Sequence, residues 1–172
     1  MRPIEFAQIL LTCLKDQLDA GPNPIPADKV CLRFGQEVRP MLGTQTDECC
    51  TGLAWVRVVE VDPLLTPDDV GANNCPITSG RRVILEMGTA RCIPFGTVQT
   101  PIGCDEWTDA ALKMDADHAA MEAAVCCFAD AVVDVTAENV FPTIYNPVGP
   151  DGNCILGTLV VSIEYDCGCS NG

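Results

Sequence analysis

Cysteine is the residue type through which this sequence could do most chemistry, because 12 of its 172 residues are cysteines. Thiolates bind soft metal ions, form disulfides or act as nucleophiles, and their spacing helps to separate these roles. The cysteines stand at positions 13, 31, 49, 50, 75, 92, 104, 126, 127, 154, 167 and 169. The short spacings are two adjacent pairs and one Cys-x-Cys, so no two cysteines have the about two to four intervening residues of a local zinc-binding loop.

Three interpretations of these cysteines stay open. Cys13 and Cys126 fall on apolar faces of predicted helices, where a free cysteine packs as a small hydrophobic residue. Disulfides could form late, after release into an oxidising medium, and the cysteines in or beside predicted loops are the candidates: Cys75, Cys104, Cys154, Cys167 and Cys169. A metal site could combine Cys154, Cys167 and Cys169 with a distant fourth ligand. A bridge between the adjacent Cys49 and Cys50 would need a strained ring.

The N-terminal segment, MRPIEFAQILLTCLKDQLDAG, indicates where the chain is made. Its apolar run is interrupted by Glu5, Gln8 and later charged residues, and it has no small-residue cleavage site. It also falls short of the roughly 20 unbroken apolar residues that a membrane helix needs. We therefore expect cytoplasmic synthesis, with thiols that start out reduced.

Catalytic residues are not apparent. His118 is the single histidine, and it lies mid-helix beside acids, where a general base would also need a nucleophile and an orienting partner. Five acids near the start of that helix could suggest calcium but lack the order of a calcium loop: Asp105, Glu106, Asp109, Asp115 and Asp117. No phosphate-binding loop, dinucleotide fingerprint, serine-hydrolase elbow or zinc-protease motif occurs. The sequence predicts a protein that is not an enzyme and needs neither a cofactor nor a metal ion.

The charge balance is strongly acidic, with 24 acids against 10 bases and a formal net charge of −14. This excludes general nucleic-acid binding, which depends on lysine and arginine to release counterions from the phosphates. Arg57, Arg81 and Arg82 stand out, because bases are scarce and these three lie in or at the start of predicted strands. They pair either with Glu60 or Glu86 of the same chain, or with acids of a neighbouring copy at a subunit interface.

Hydrophobic periodicity predicts the elements that position these residues. Helices are predicted at 3–20 and from 108 or 109 to about 133, strands at 29–35, 53–61, 81–95 and 158–166, and long loops at 62–80 and 135–157. The strand at 81–95 should pair with that at 53–61 as a hairpin. The second helix should pack through a seam of mostly small residues: Leu112, Ala116, Ala119, Ala123, Cys126 and Cys127. The last strand should bury alternate residues: Leu159, Val161, Ile163 and Tyr165.

The order α-β-β-β-α-β predicts a single α+β domain over residues 1–172. We expect a mostly antiparallel or mixed sheet of about four strands, flanked by two helices.

One stretch, CLRFGQEVRPMLGTQTDECCTGLAWVRVVEV, resembles the head-to-tail connector proteins of actinobacterial siphophages, and among them it is most similar to the tail terminators. The resemblance rests on R-x-G-x-E-V, L-G-T and D-E-C-C-x-G-L-A-W-V-R-V, which stand here at 33–38, 42–44 and 47–58. It covers about 30 residues. The rest of the chain supports it through its element order, which is similar to the terminator fold.

The resemblance implies a structural virion protein, a homohexameric ring that caps the tail tube and docks it to the head. Its partners would be other copies of itself, the major tail tube protein and a neck or stopper protein. The acidic ring would surround a channel through which DNA slides without specific binding. The family brings no catalytic residues, and the loops at 62–80 and 135–157 would contact tube and neck. Another connector component, such as a stopper or tail-completion protein, and a cysteine-rich metal-binding protein stay open as alternatives.

Overall fold

A computed structural model describes residues 2–34, 49–64, 80–94, 96, 101–132, 139–151 and 153–166. Within these residues the chain forms two helices and five strands, as the α+β prediction requires. The elements are α1 (Pro3–Ala20), β1 (Val30–Phe34), β2 (Leu53–Pro63), β3 (Gly80–Cys92), α2 (Cys104–Ala131), β4 (Val140–Asp151) and β5 (Cys154–Asp166), with a short 3₁₀ turn at Ala27–Lys29. The predicted loop at 62–80 falls largely on 65–79, outside the described residues.

The sheet has the order β1-β2-β3-β5-β4. β1 runs parallel to β2, and every other neighbouring pair is antiparallel, so the sheet is mixed. The predicted hairpin between β2 and β3 is confirmed. On its other side β3 pairs with β5 over its whole length, from Gly80 opposite Asp166 to Cys92 opposite Cys154. β3 is therefore the central strand, and β1 and β4 are the two edges.

Both helices cover one face of the sheet and form the main core with it. In α1 the residues Phe6, Leu10, Leu14 and Leu18, four apart, are buried as the periodicity predicts. In β5 the four predicted inward residues, Leu159, Val161, Ile163 and Tyr165, are buried as well. The Phe6 ring lies edge-on to Tyr165, with ring centroids 5.0 Å apart, which joins the start of α1 to the end of β5. No helix in the described parts of the chain is long and apolar enough to cross a membrane.

α2 differs from the prediction in its start and in its buried face. It begins at Cys104, where Glu106 accepts a hydrogen bond from the Gly103 amide at 2.9 Å. The predicted seam is wrong, since Leu112 is 65% exposed and Cys126 is exposed as well. The residues buried instead recur every three or four positions: Ala110, Met114, Asp117, Met121, Ala124, Val125 and Phe128. The prediction assumed that the acidic Asp117 faces solvent. Because Asp117 is buried, the buried face of α2 is rotated relative to the predicted one.

The predicted loop at 135–157 is wrong over most of its length, because 140–151 form β4 and 154–157 begin β5. The cause of the error was proline, which occurs at 142, 147 and 150. Proline cannot donate to a sheet ladder, but it is compatible with an edge strand. β4 is such an edge, and its pairing with β5 is interrupted by two irregularities, between Pro142 and Tyr145 and between Val148 and Asp151. The sheet therefore has five strands, not about four.

A buried ion pair joins α2 to the end of β3. The Arg91 guanidinium donates to both carboxylate oxygens of Asp117, from Nε at 2.8 Å and from Nη2 at 2.6 Å, and Nη2 also donates to the Asn23 carbonyl at 2.6 Å. The two side chains are only 8% and 3% exposed. Neither charge can be removed alone without leaving the other buried and uncompensated.

We predict that Arg91→Met lowers the free energy of unfolding by about 3–5 kcal/mol, since it strands the Asp117 carboxylate in the core. Denaturant unfolding under non-reducing conditions measures the change. Lys113→Met is the matched control, because it removes an exposed i,i+4 pair with Asp109 and should change stability by at most about 0.5 kcal/mol.

The double variant Arg91→Met, Asp117→Leu should regain most of the lost stability, because no buried charge is left unpaired. A double variant as unstable as the single one would contradict this account and assign the loss to packing around Arg91.

Candidate functional site

The face of the sheet opposite the helices, here called the open face, carries a buried tryptophan. Trp55 on β2 is 1% exposed and lies across from Gly88 on β3. A Cβ at Gly88 would stand 2.7 Å from Cε2 of the Trp55 ring, closer than carbon atoms approach one another. Glycine is therefore required here by the close approach of the indole to the β3 backbone.

Glu86 organises the polar part of the open face. Its Oε1 accepts hydrogen bonds from Trp55 Nε1 at 3.2 Å and from Arg57 Nε at 2.8 Å, and its Oε2 accepts one from Arg57 Nη2 at 2.7 Å. The Arg57 and Glu86 side chains are 11% and 13% exposed. Of the two interpretations of Arg57, pairing within the chain is therefore realised, and the guanidinium is largely enclosed in its own subunit.

Arg81 and Arg82 begin β3 on neighbouring ladder positions. Arg82 is exposed and lies opposite Asp62 of β2 and Glu164 of β5, so acids of its own chain flank it on both sides. Arg81 is half-buried between Pro63 and Tyr165. A role for these arginines at a subunit interface stays a prediction.

Four cysteines meet at one end of the open face and are here called the sulfur cluster: Cys49, Cys50, Cys92 and Cys154. Cys49 is joined to Cys154 and Cys50 to Cys92, with Cα–Cα distances of 6.1 Å and 4.3 Å. Cys92 and Cys154 are direct cross-strand partners on β3 and β5. Cys49 begins a turn in which the Gly52 amide donates to the Cys49 carbonyl at 2.9 Å. The turn thus places the sulfurs of Cys49 and Cys50 beside those of the cross-strand pair Cys92 and Cys154.

A third disulfide, Cys13–Cys127, joins α1 to α2 with Cα atoms 5.8 Å apart. The prediction that Cys13 packs as a free thiol is therefore wrong, and so is the buried position predicted for Cys126, which is exposed.

Among the predicted late disulfides, Cys154 is bonded, whereas Cys104 is exposed and carries no disulfide. Cys75, Cys167 and Cys169 lie outside the described residues. The sequence could not show these pairings, because each joins residues at least 42 positions apart.

His118 packs against β4 and is not a free surface residue. Its ring stacks on Tyr145 with centroids 4.2 Å apart, and its Nε2 lies 3.5 Å from Glu122 Oε1. The two rings border a cavity of about 350 Å³ between α2 and β4. The described residues that line this cavity include no serine, threonine, cysteine or lysine, and its ionisable side chains are those of Asp115, His118 and Tyr145.

The Tyr145 hydroxyl is buried and has no hydrogen-bond partner among the described residues. Burial, helped by the nearby carboxylates of Asp117 and Asp115, raises the pKa of Tyr145 to about 12. The phenol is therefore held in its neutral form throughout the physiological range.

The acids that were weighed as calcium ligands do not converge. Asp105, Glu106, Asp109 and Asp115 are exposed on α2, and Asp117 is buried against Arg91. Among the described residues, the group whose side-chain atoms lie close enough to share a metal ion is Cys49, Cys50 and Cys92. The chemistry of the site therefore resides in its sulfurs and not in its carboxylates.

No protein-family model matches this chain, and a search of curated proteins found no match.

We predict that Gly88→Ala destabilises the fold by about 1–3 kcal/mol, because the new Cβ must displace the Trp55 ring. A Trp107→Phe background leaves Trp55 as the single tryptophan, so its emission, excited beyond the tyrosine absorption, can be followed during denaturant unfolding. Gly149→Ala is the matched control, since a Cβ there meets nothing within 4 Å. Equal stability of the two variants would show that the indole does not press on β3.

We predict that Tyr145 ionises well above an ordinary tyrosine in the folded protein. Because the folded pKa of Tyr145 is raised to about 12 and that of an unfolded tyrosine is about 10, its contribution to stability is complete below pH about 10 and is lost as the pH rises towards 12. Ultraviolet titration of a Tyr165→Phe variant, with circular dichroism to verify folding, isolates this phenol. A midpoint near pH 10 in folded protein would refute the assignment.

Proposed function

We propose that this chain is a structural virion protein, a tail terminator that forms a ring on the tip of a siphophage tail tube and joins the tube to the head. The proposal starts from the resemblance carried by 33–38, 42–44 and 47–58. Of these positions, 35–48 lie outside the described residues, and the segment Leu53–Val58 lies within β2.

The observation that carries the proposal is that both sheet edges expose large apolar side chains. At the β1 edge, Phe34 is 75% exposed. At the β4 edge, Phe141, Ile144 and Val148 are 46%, 82% and 43% exposed. The edges are different surfaces at opposite ends of the strand order. A ring requires two different surfaces that fit each other, because each subunit contacts its neighbours head to tail.

β4 is suited to contact through its side chains. Three of its residues are prolines, and they lack the amide hydrogen that would pair with another strand. All of its described side chains from 141 to 150 are exposed, apart from that of Tyr145. A neighbouring copy would therefore meet an apolar ridge on this edge, and Phe34 is the group that we propose to lie against it.

The acidic charge fits the same function. Two of the ten bases, Arg57 and Arg91, are occupied by Glu86 and Asp117 inside the chain. Each of these pairs is neutral, so the formal net charge of −14 is carried by the remaining side chains. A channel lined by such a surface would repel DNA and let it slide. The exposed Arg82 would then reduce repulsion between neighbouring copies.

The remaining partners are proposals of the same kind. The major tail tube protein and a neck or stopper protein would bind the two flat ends of the ring, and the segment 62–80 is one candidate for these contacts. The segment 135–157 was also expected to contact tube or neck, but its strand β4 is the part that we propose to form the contact between subunits.

We predict that Phe34→Asp and Ile144→Asp each prevent ring formation, because each places a charge in one half of the same apolar contact. Light scattering at near-physiological salt measures the mass, with purified tail tubes added if the ring closes only on the tube tip. Leu112→Asp is the matched control, since Leu112 is 65% exposed but belongs to the helix α2 and not to an edge strand.

Mixing the two single variants makes the test specific for a head-to-tail contact. The Ile144→Asp chain keeps an intact β1 edge and the Phe34→Asp chain an intact β4 edge, so the mixture should form heterodimers that cannot close into rings. Wild-type protein that stays monomeric even with tail tubes would sink the terminator proposal. Labelling of the wild-type protein in particles, on the head side of the junction only, would favour a stopper instead.

A further inference from the structure

We propose that Cys49, Cys50, Cys92 and Cys154 form a tetrathiolate site for a soft divalent cation of the zinc type when they are reduced. The two disulfides of the sulfur cluster are then the oxidised state of the same site. This inference does not depend on the terminator proposal, because it follows from the geometry of the open face alone.

The sulfur positions lie close to those of a tetrahedral site. The Sγ atoms of Cys49, Cys50 and Cys92 are all within 4.8 Å of one another. Zinc–sulfur bonds of about 2.3 Å in a tetrahedron place the sulfurs about 3.8 Å apart. The fourth sulfur, of Cys154, is bonded to that of Cys49 and so lies beside the trio. Cys154 lies outside the group of three that share the 4.8 Å limit, so its side chain must rotate towards the other sulfurs before all four can bind one ion.

The backbone holds the two halves of the site independently of the disulfides. Cys92 and Cys154 are fixed opposite each other by the β3–β5 ladder, which continues with the Ile93 amide donating to the Asn153 carbonyl at 2.7 Å. Cys49 and Cys50 are fixed by their turn, which Gly52 closes with a φ of 84°. A Cβ at Gly52 would come within 2.8 Å of Ile25 and Arg91, so the turn is seated tightly.

The surroundings suit thiolate ligands. Asn153 Nδ2 lies 3.8 Å from Cys92 Sγ, at the distance of an N–H···S hydrogen bond, which stabilises a metal-bound thiolate. Cys49 and Cys154 are 0% and 2% exposed, and thiolates so buried require a cation. Cys50 is exposed, which leaves a path for an ion to enter.

The exchange between the two states balances with a dithiol as the reductant. Two dithiol molecules each transfer two electrons and two protons to one disulfide and become cyclic disulfides themselves, which leaves four cysteine thiols. Binding of one divalent cation then replaces the four thiol protons, which pass to solvent. A reducing cytoplasm favours the metal-bound state, and an oxidising medium outside the cell favours the disulfides.

The third disulfide provides an internal comparison. Cys13–Cys127 lies between the helices, and no further metal-ligating side chain joins it in a cluster among the described residues. Two sulfurs alone make a weak site, so metal binding should follow the sulfur cluster and ignore this pair.

The test uses the full chain with six cysteines changed to serine, so that the three bonded pairs remain: Cys31, Cys75, Cys104, Cys126, Cys167 and Cys169. The protein is reduced with a dithiol, freed of it without oxygen, and titrated with Co²⁺ and then Zn²⁺. We expect one Co²⁺ per chain, with the visible bands and sulfur-to-cobalt charge-transfer bands of a tetrahedral thiolate site, and displacement by Zn²⁺. Circular dichroism reports folding on the same samples.

Cys92→Ser should weaken Co²⁺ binding at least about tenfold and reduce the charge-transfer intensity. The double variant Cys13→Ser, Cys127→Ser is the control and should bind as the parent does. If reduction unfolds the chain, Co²⁺ should restore the fold, as it does where binding and folding are coupled. A reduced chain that shows no cobalt bands, folded or unfolded, would overturn the proposal, as would bands that survive Cys92→Ser or vanish in the control.

Discussion

The structure depends on the burial of β3 from both sides. One face of this strand packs Val83, Leu85 and Met87 against the helices, and the other accepts the Trp55 ring over Gly88. An unpaired charge on a strand enclosed in this way would be costly, although the buried hydroxyl of Thr89 on β3 has no hydrogen-bond partner among the described residues. Arg91 therefore meets Asp117 on the helix face, and Glu86 meets Arg57 and Trp55 on the open face. Because β3 ends in Cys92, the packing of this strand also fixes the position of the sulfur cluster.

The two faces of the sheet divide the work of holding the chain together. The helix face supplies most of the apolar core and one disulfide between α1 and α2. The open face has a small apolar cluster around Trp55 and two disulfides at its end. Where there is less apolar surface to bury, covalent or metal-mediated links between the segments contribute correspondingly more. The edge strands contribute fewer residues to this core, with Val30 from β1 and Val140 from β4, and each also exposes large apolar side chains.

The sequence predicted the elements whose pattern is local. α1, the hairpin of β2 and β3, and the buried positions of β5 follow from periodicity, and the structure confirms them. The errors occurred where a distant partner reverses a local preference. Asp117 looks like a surface residue until Arg91, 26 positions away, is placed beside it. The prolines of β4 locally favour a loop, but pairing with β5 makes this segment an edge strand.

The candidate site was harder to predict than the fold. The high cysteine content drew attention to these residues. Which sulfurs lie close together depends on the register of β3 with β5 and on the turn at Cys49, and local sequence patterns reveal neither. The four cysteines do not have the spacing of a local zinc-binding loop, because their sulfurs come from three separate segments of the chain. Arg57 shows the same principle, since a base that looks available in the sequence is already held by Glu86.

The prolines of β4 have a consequence for how the protein behaves at high concentration. An edge strand with a full row of amide hydrogens is a template onto which other chains add, and repeated addition leads to fibrils. In β4 that row is broken at Pro142, Pro147 and Pro150, and two irregularities bend the strand away from a flat edge. Crowding the molecules together therefore does not favour the stacking of further strands onto β4. The prolines of β4 thus guard one of the two apolar edges of the sheet against the addition of further strands.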